Sequence, residues 1–227
     1  MNTVKSALQA IQTRIATAAC AAGRAPQAVQ LLAVSKTFGA DAIRAAAVAG
    51  QRAFGESYVQ EALVKIAALA DLSLTWHFIG PVQRNKTRVL AEHFDWVHGV
   101  DRAIIAQRLN DARPTTRPPL NVCVQVNVSG EASKSGVAPA DLPALVHAVA
   151  QMPRLRLCGL MAIPAPSANP DQQRAQFRLL RRLRDGLDIP LDTLSMGMSG
   201  DLEAAIAEGA TLVRVGSAIF GWRPVKT

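Results

Sequence analysis

Leu31-Leu32-Ala33-Val34-Ser35-Lys36-Thr37-Phe38-Gly39 is the stretch from which the rest of the chain can be read. Four apolar residues in succession mark a strand covered on both faces, as in a parallel sheet beneath helices. The run ends in a lysine and, three residues on, a glycine that lets the chain turn. A lysine at the carboxyl end of a buried strand can be partly desolvated, which lowers its pKa and frees the amine as a nucleophile. The alternative is a lysine that simply leaves the sheet for water.

Before this strand, Val4, Leu8, Ile11 and Ile15 recur at helical spacing. Residues 1–40 carry Lys5, Arg14, Arg24 and Lys36 but no Asp or Glu, a composition shared with transit peptides. The helical spacing and the strand that follows at once mark the segment as a structural amphipathic helix. After the strand, helix and strand alternate. Helices are predicted over 40–50 (closed by Gly50), 58–70, 83–93, 101–111 (capped by Asp101), 139–151 and 200–208, with an arginine-striped helix around 174–187. Strands are predicted over 52–56, 74–80, 94–100, 121–128, 155–163, 193–198 and 211–220. Loops connect them at 113–119 and 129–137.

Eight strands at a mean spacing of roughly 26 residues match the repeat of a (β/α)8 barrel. An open doubly wound sheet is the alternative, but regular units without G-x-G-x-x-G after the first strand favour closure. The expected fold is α/β: a single TIM barrel over residues 1–227 preceded by one extra helix.

Composition narrows the function. Of 227 residues 49% are apolar, which excludes disorder, and no run is long and apolar enough to span a membrane. Cys20, Cys123 and Cys158 are odd in number and lack C-x-x-C pairing, so they read as buried small hydrophobes in a reducing compartment, the cytoplasm. The net charge of +8 raises nucleic acid as a partner. Its basic residues concentrate at 84–88 and at Arg174, Arg178, Arg181, Arg182 and Arg184. The one aromatic among them, Phe177, falls with Leu180, Leu183 and Leu187 on the other helix face, so stacking platforms are missing, and a solvated helix face explains the second group. Beyond the chance pair His93/His98 the four histidines lack metal-ligand spacing, and no metal is expected.

Closure places the ends of strands 7, 8 and 1 side by side at the C-terminal mouth, where such barrels often bind phosphate. Strand 7 leads into Ser199, whose hydroxyl either meets a phosphate at a helix N-terminus or only caps that helix. Asp201, close by, suits the helix dipole but not a phosphate. Strand 8 carries Arg214 amid apolar neighbours, a charge that needs an anion or a structural ion pair, followed by Gly216 for close approach and Ser217 for another hydroxyl. A lysine nucleophile facing an anion cradle suggests a phosphorylated aldehyde or ketone, and pyridoxal 5′-phosphate fits.

Seven motifs then make the chain recognisable: L-L-A-V-S-K at 31–36, F-G-E-x-Y-V-Q-E at 54–61, W-H-F-I-G-P at 76–81, S-K-S-G at 133–136, G-L-M-A-I-P at 159–164, S-M-G-M-S at 195–199 and V-R-V-G-S-A-I-F-G at 213–221. Together they resemble the pyridoxal phosphate homeostasis proteins, single-barrel relatives of the N-terminal domain of alanine racemase. The resemblance implies that Lys36 carries the cofactor as a Schiff base, that Ser199, Gly216 and Ser217 hold its phosphate, and that Arg214 lies against it. It places Ser57, where the family usually has Asn, near the cofactor. It implies a cofactor carrier that maintains vitamin B6 and amino-acid balance without established turnover and therefore without catalytic residues. The expected partners are pyridoxal 5′-phosphate and, transiently, apoenzymes that use it; the expected state is a monomer. Alanine racemase needs a second base, a tyrosine. Tyr58 is the only tyrosine here, predicted to start a helix, and His77 is the other candidate base. A racemase-like enzyme, a Schiff-base aldolase and a basic nucleic-acid binder are the rival readings.

Overall fold

The computed structural model describes residues 3–131, 135–165 and 169–221. Ser133 and Lys134 of the fourth motif lie outside them. Eight parallel strands close into a barrel in sequential order, β1 pairing with both β2 and β8. The strands are β1 (Gln30–Val34), β2 (Ala53–Glu56), β3 (Thr75–Phe78), β4 (Trp96–Val100), β5 (Leu120–Gln125), β6 (Leu155–Met161), β7 (Thr193–Ser195) and β8 (Leu212–Val215). The expected (β/α)8 barrel is what forms.

Its extra helix is α1 (Val4–Ala21), capped by Thr3, with Leu8, Ile11 and Ile15 buried as their spacing required. Around the barrel run α2 (Ala40–Val48), α3 (Val59–Ala68), α4 (Thr87–His93), α5 (Ala103–Ala112), α6 (Leu142–Ala150), α7 (Pro170–Asp185) and α8 (Leu202–Ala207). Among the described residues no helix is long and apolar enough to cross a membrane.

Four local expectations need correction. The apolar run 211–220 is not one strand: β8 stops at Val215, and Ser217–Phe220 forms a short helix, α9. A short apolar run does not distinguish strand from buried helix by periodicity. Here Ile219 turns inward and Phe220 packs on Phe38, ring centroids 5.2 Å apart. Asp101 does not cap α5, whose N-cap position is Arg102; the Asp101 carboxylate accepts from that residue's Nε instead. The arginines of α7 are not merely solvated, since Arg174, Arg178 and Arg181 all converge on the buried carboxylate of Glu208. Cys20 is exposed and Cys158 only half-buried; Cys123 alone is a buried small hydrophobe.

Candidate functional site

At the carboxyl ends of β1, β7 and β8 the barrel opens into a cavity of about 260 Å³. Lys36, Ser199, Arg214, Gly216 and Ser217 all line it, between the apolar side chains of Val34, Phe38, Ile79, Ile163 and Met198. Five of the six residues singled out in the sequence therefore meet in one small-molecule-sized space at the active-site end of the fold. Ser57 does not line it. It follows β2, and its backbone packs on Gly80, where an added Cβ would lie 2.7 Å from the Ser57 carbonyl oxygen.

Arg214 is 4% exposed and makes no ion pair with a described carboxylate. Its Nη1 donates to the carbonyl and hydroxyl of Ser195, at 2.5 and 2.8 Å, and its Nη2 to the carbonyl of Ala162 at 2.8 Å. Burial lowers its pKa to about 10, with Asp201 opposing the fall. The guanidinium thus bolts the ends of β6 and β7 to β8 and keeps its positive charge at the floor of the cavity.

Behind it runs a hydrogen-bonded chain that sequence reasoning missed. Ser195 Oγ lies 2.8 Å from His98 Nδ1, and His98 Nε2 lies 2.9 Å from His77 Nδ1. Because β4 and β7 are not neighbours, the His98–Ser195 bond crosses the barrel interior. Arg214 has only protons to give. The Ser195 hydroxyl accepts from it and keeps a proton and a second lone pair for His98, so the roles along the chain follow the tautomers of the two imidazoles. Burial holds His77 at about 3, and burial, His77 and Arg214 together hold His98 well below the ordinary value of 6.5. His77 also stacks on Trp96, 5.2 Å between centroids. It is a structural member of this chain and does not line the cavity. The signal available in sequence was a histidine inside each of two otherwise apolar strands.

The other wall offers hydroxyls. Ser217 Oγ stands 3.4 Å from Ser199 Oγ at the start of α9. Ser199 is not the N-cap of α8; that position belongs to Asp201, which accepts from the Met198 N–H at 2.5 Å. Arg14 of α1 fixes the same loop by donating to the Ser199 carbonyl at 3.2 Å. Gly216 is required for close packing, because a Cβ there would lie 3.1 Å from the carbonyl oxygen of Val34. That contact brings the end of β8, with Ser217, beside the strand that carries Lys36.

Lys36 itself, half-buried, occupies the second position of a turn closed by the Phe38 N–H on the Ser35 carbonyl at 3.1 Å. Among the described residues no group of three His, Cys, Asp or Glu is placed to hold a metal.

Comparison with known proteins places the chain in a family. The family model for the alanine racemase N-terminal domain matches residues 7–224. The pyridoxal phosphate homeostasis protein of Pseudomonas aeruginosa is 64% identical over 223 residues, covering 98% of this chain and 97% of the relative. This chain belongs to the pyridoxal phosphate homeostasis family of alanine racemase N-terminal domains. The Escherichia coli member is 53% identical over 229 residues, 98% of each chain. Among solved structures, PipY of Synechococcus elongatus with PLP bound superposes with a TM-score of 0.85 at 39% identity, covering 96% of this family member and 100% of PipY.

Proposed function

We propose that the protein binds pyridoxal 5′-phosphate at the barrel mouth as a Schiff base on Lys36 and acts as a carrier of that cofactor, keeping its intracellular supply in balance. One observation carries the reading: an amine and a buried guanidinium line the same cavity, and no carboxylate is among the described residues around it. The guanidinium makes no direct ion pair with a described carboxylate, and a small anion bearing an aldehyde suits both groups. The Lys36 amine adds to the aldehyde carbon and water leaves. Ser199, Ser217 and the first turn of α9 receive the phosphate, Gly216 brings that turn close, and Arg214 lies under the ring or phosphate. Ser57 reaches the ligand only through water. The names of the relatives and the PLP held by PipY support the same ligand.

When bound, the cofactor supplies an electron sink for carbanions. Lys36 and Arg214 are the only titratable side chains among the described lining residues, so racemisation lacks a second base. Tyr58 is exposed outside the cavity and His77 is committed beneath it. The half-exposed Ile163 and Met198 at the rim suit brief contact with a recipient apoenzyme. A cytoplasmic monomer is the simplest setting. The test is an absorption spectrum of wild type and Lys36→Ala with added cofactor, before and after borohydride, with deuterium exchange at the Cα of alanine measured alongside. A borohydride-fixable visible band absent from the variant, with no exchange, is expected. A wild type that stays colourless contradicts the binding site; rapid exchange contradicts the carrier.

A further inference from the structure

Against the Lys36 turn lies a buried ionic cluster whose residues do not line the cavity. Lys65 of α3 has a side chain 5% exposed, and its Nζ donates to Glu56 at 2.7 Å, to Glu61 at 2.5 Å and to the Ser35 carbonyl at 2.8 Å. Ser35 Oγ donates to the same Glu56 oxygen at 2.6 Å. Glu61 Oε1 also accepts from the Thr37 N–H at 2.6 Å. The cluster therefore grips the peptide group on each side of Lys36, one by its carbonyl and the other by its N–H.

What it grips is strained. Thr37 has φ +73°, the left-handed region that a β-branched residue rarely occupies, at a turn position where glycine would sit freely. The buried Thr37 Oγ1 and Glu56 Oε2 have no hydrogen-bond partner. Buried ion clusters are generally no more stabilising than apolar packing, so stability is a poor account of one that leaves an oxygen unpaired and a threonine strained. Residues in unfavourable backbone conformations persist where the surroundings over-determine them, and they gather at functional sites.

We infer that Glu61 and Lys65 are positioning residues for Lys36, holding its turn in the strained form that aims the amine into the cavity. This rests on Lys36 being the cofactor's anchor, as proposed above. The clamp acts on the backbone, so its loss slows linkage formation without touching the ligand.

The experiment is stopped-flow absorbance of Schiff-base formation with pyridoxal 5′-phosphate, in wild type, Glu61→Ala, Glu61→Gln and Thr37→Gly/Glu61→Ala, with thermal melts of each. Loss of the clamp in Glu61→Ala is expected to slow formation about tenfold or more, as misplacement of a reacting group does. Glu61→Gln, which keeps an oxygen for the Thr37 N–H, recovers most of the rate. The double variant also recovers it, because glycine holds φ +73° unaided. That variant remains decisive if Glu61→Ala alone unfolds. A purely structural cluster would instead lower the melting temperature of Glu61→Ala and leave its rate at the wild-type value, or leave the double variant slow; either result overturns the inference. A wild type with no borohydride-fixable linkage sinks the Lys36 reading itself, and this inference with it.

Discussion

The two cations of the cavity are mounted in opposite ways. Arg214 lies within the register of β8, bonded to backbone carbonyls and to Ser195, behind which the buried, neutral imidazoles of His98 and His77 continue the chain. Lys36 lies just past the end of β1, on a turn whose strained Thr37 is held by charged groups. A strand held by carbonyls has one position; a turn under strain has a relaxed alternative. The contrast suits a site whose proposed anion-binding wall is fixed while its proposed covalent anchor is held by a separate clamp.

Removing the charge from the clamp should produce the largest effect on stability. Lys65→Met leaves two buried or half-buried carboxylates facing each other, and urea denaturation is expected to show a loss of about 3–5 kcal/mol. A loss under 1 kcal/mol would mean that the cluster is dispensable and the contrast false. On the fixed wall, Ser217→Ala deletes a hydroxyl proposed to bond an anion, about 1.5–3 kcal/mol, or roughly 10- to 100-fold in cofactor affinity. Its melting temperature without cofactor should stay near wild type, since the hydroxyl is exposed and, among the described residues, meets only Ser199, at 3.4 Å. An unchanged affinity would move the phosphate elsewhere.

The gentlest test concerns the neutral chain. His77 titrates near 3 in the folded protein and near 6.5 when unfolded, so between those values the unfolded state binds more protons. Stability is therefore full above pH 6.5 and falls as the solution is acidified, approaching about 1.4 kcal/mol per pH unit for each histidine. Urea midpoints at pH 7, 6 and 5 read this slope, and His77→Gln should flatten it. A midpoint that does not move over this range would mean that the imidazoles are not held neutral.

The barrel was legible because eight apolar runs recur at even spacing, and closure alone brought Lys36, Arg214 and Ser217 together. Boundaries failed where packing decided them. Nothing in V-R-V-G-S-A-I-F-G marks the place where Gly216, pressed against Val34, ends β8 and lets α9 begin. Two features stayed hidden for a related reason. The bond from His98 to Ser195 joins residues 97 apart, and the contact of Lys65 with the Ser35 carbonyl needs the packing of α3 against the β1 turn. Glu56 and Glu61 sit within a recognised motif, yet the motif does not say that they face the lysine turn. Ser57, in that same motif, was expected near the ligand and lies off the cavity wall.

The most direct test of the account is to load the protein with pyridoxal 5′-phosphate, fix the linkage with borohydride and map the labelled peptide by mass spectrometry. The chain has six lysines, Lys5, Lys36, Lys65, Lys86, Lys134 and Lys226, so the label has real alternatives. The account predicts one label, on Lys36. A label confined to any of the other five would contradict it.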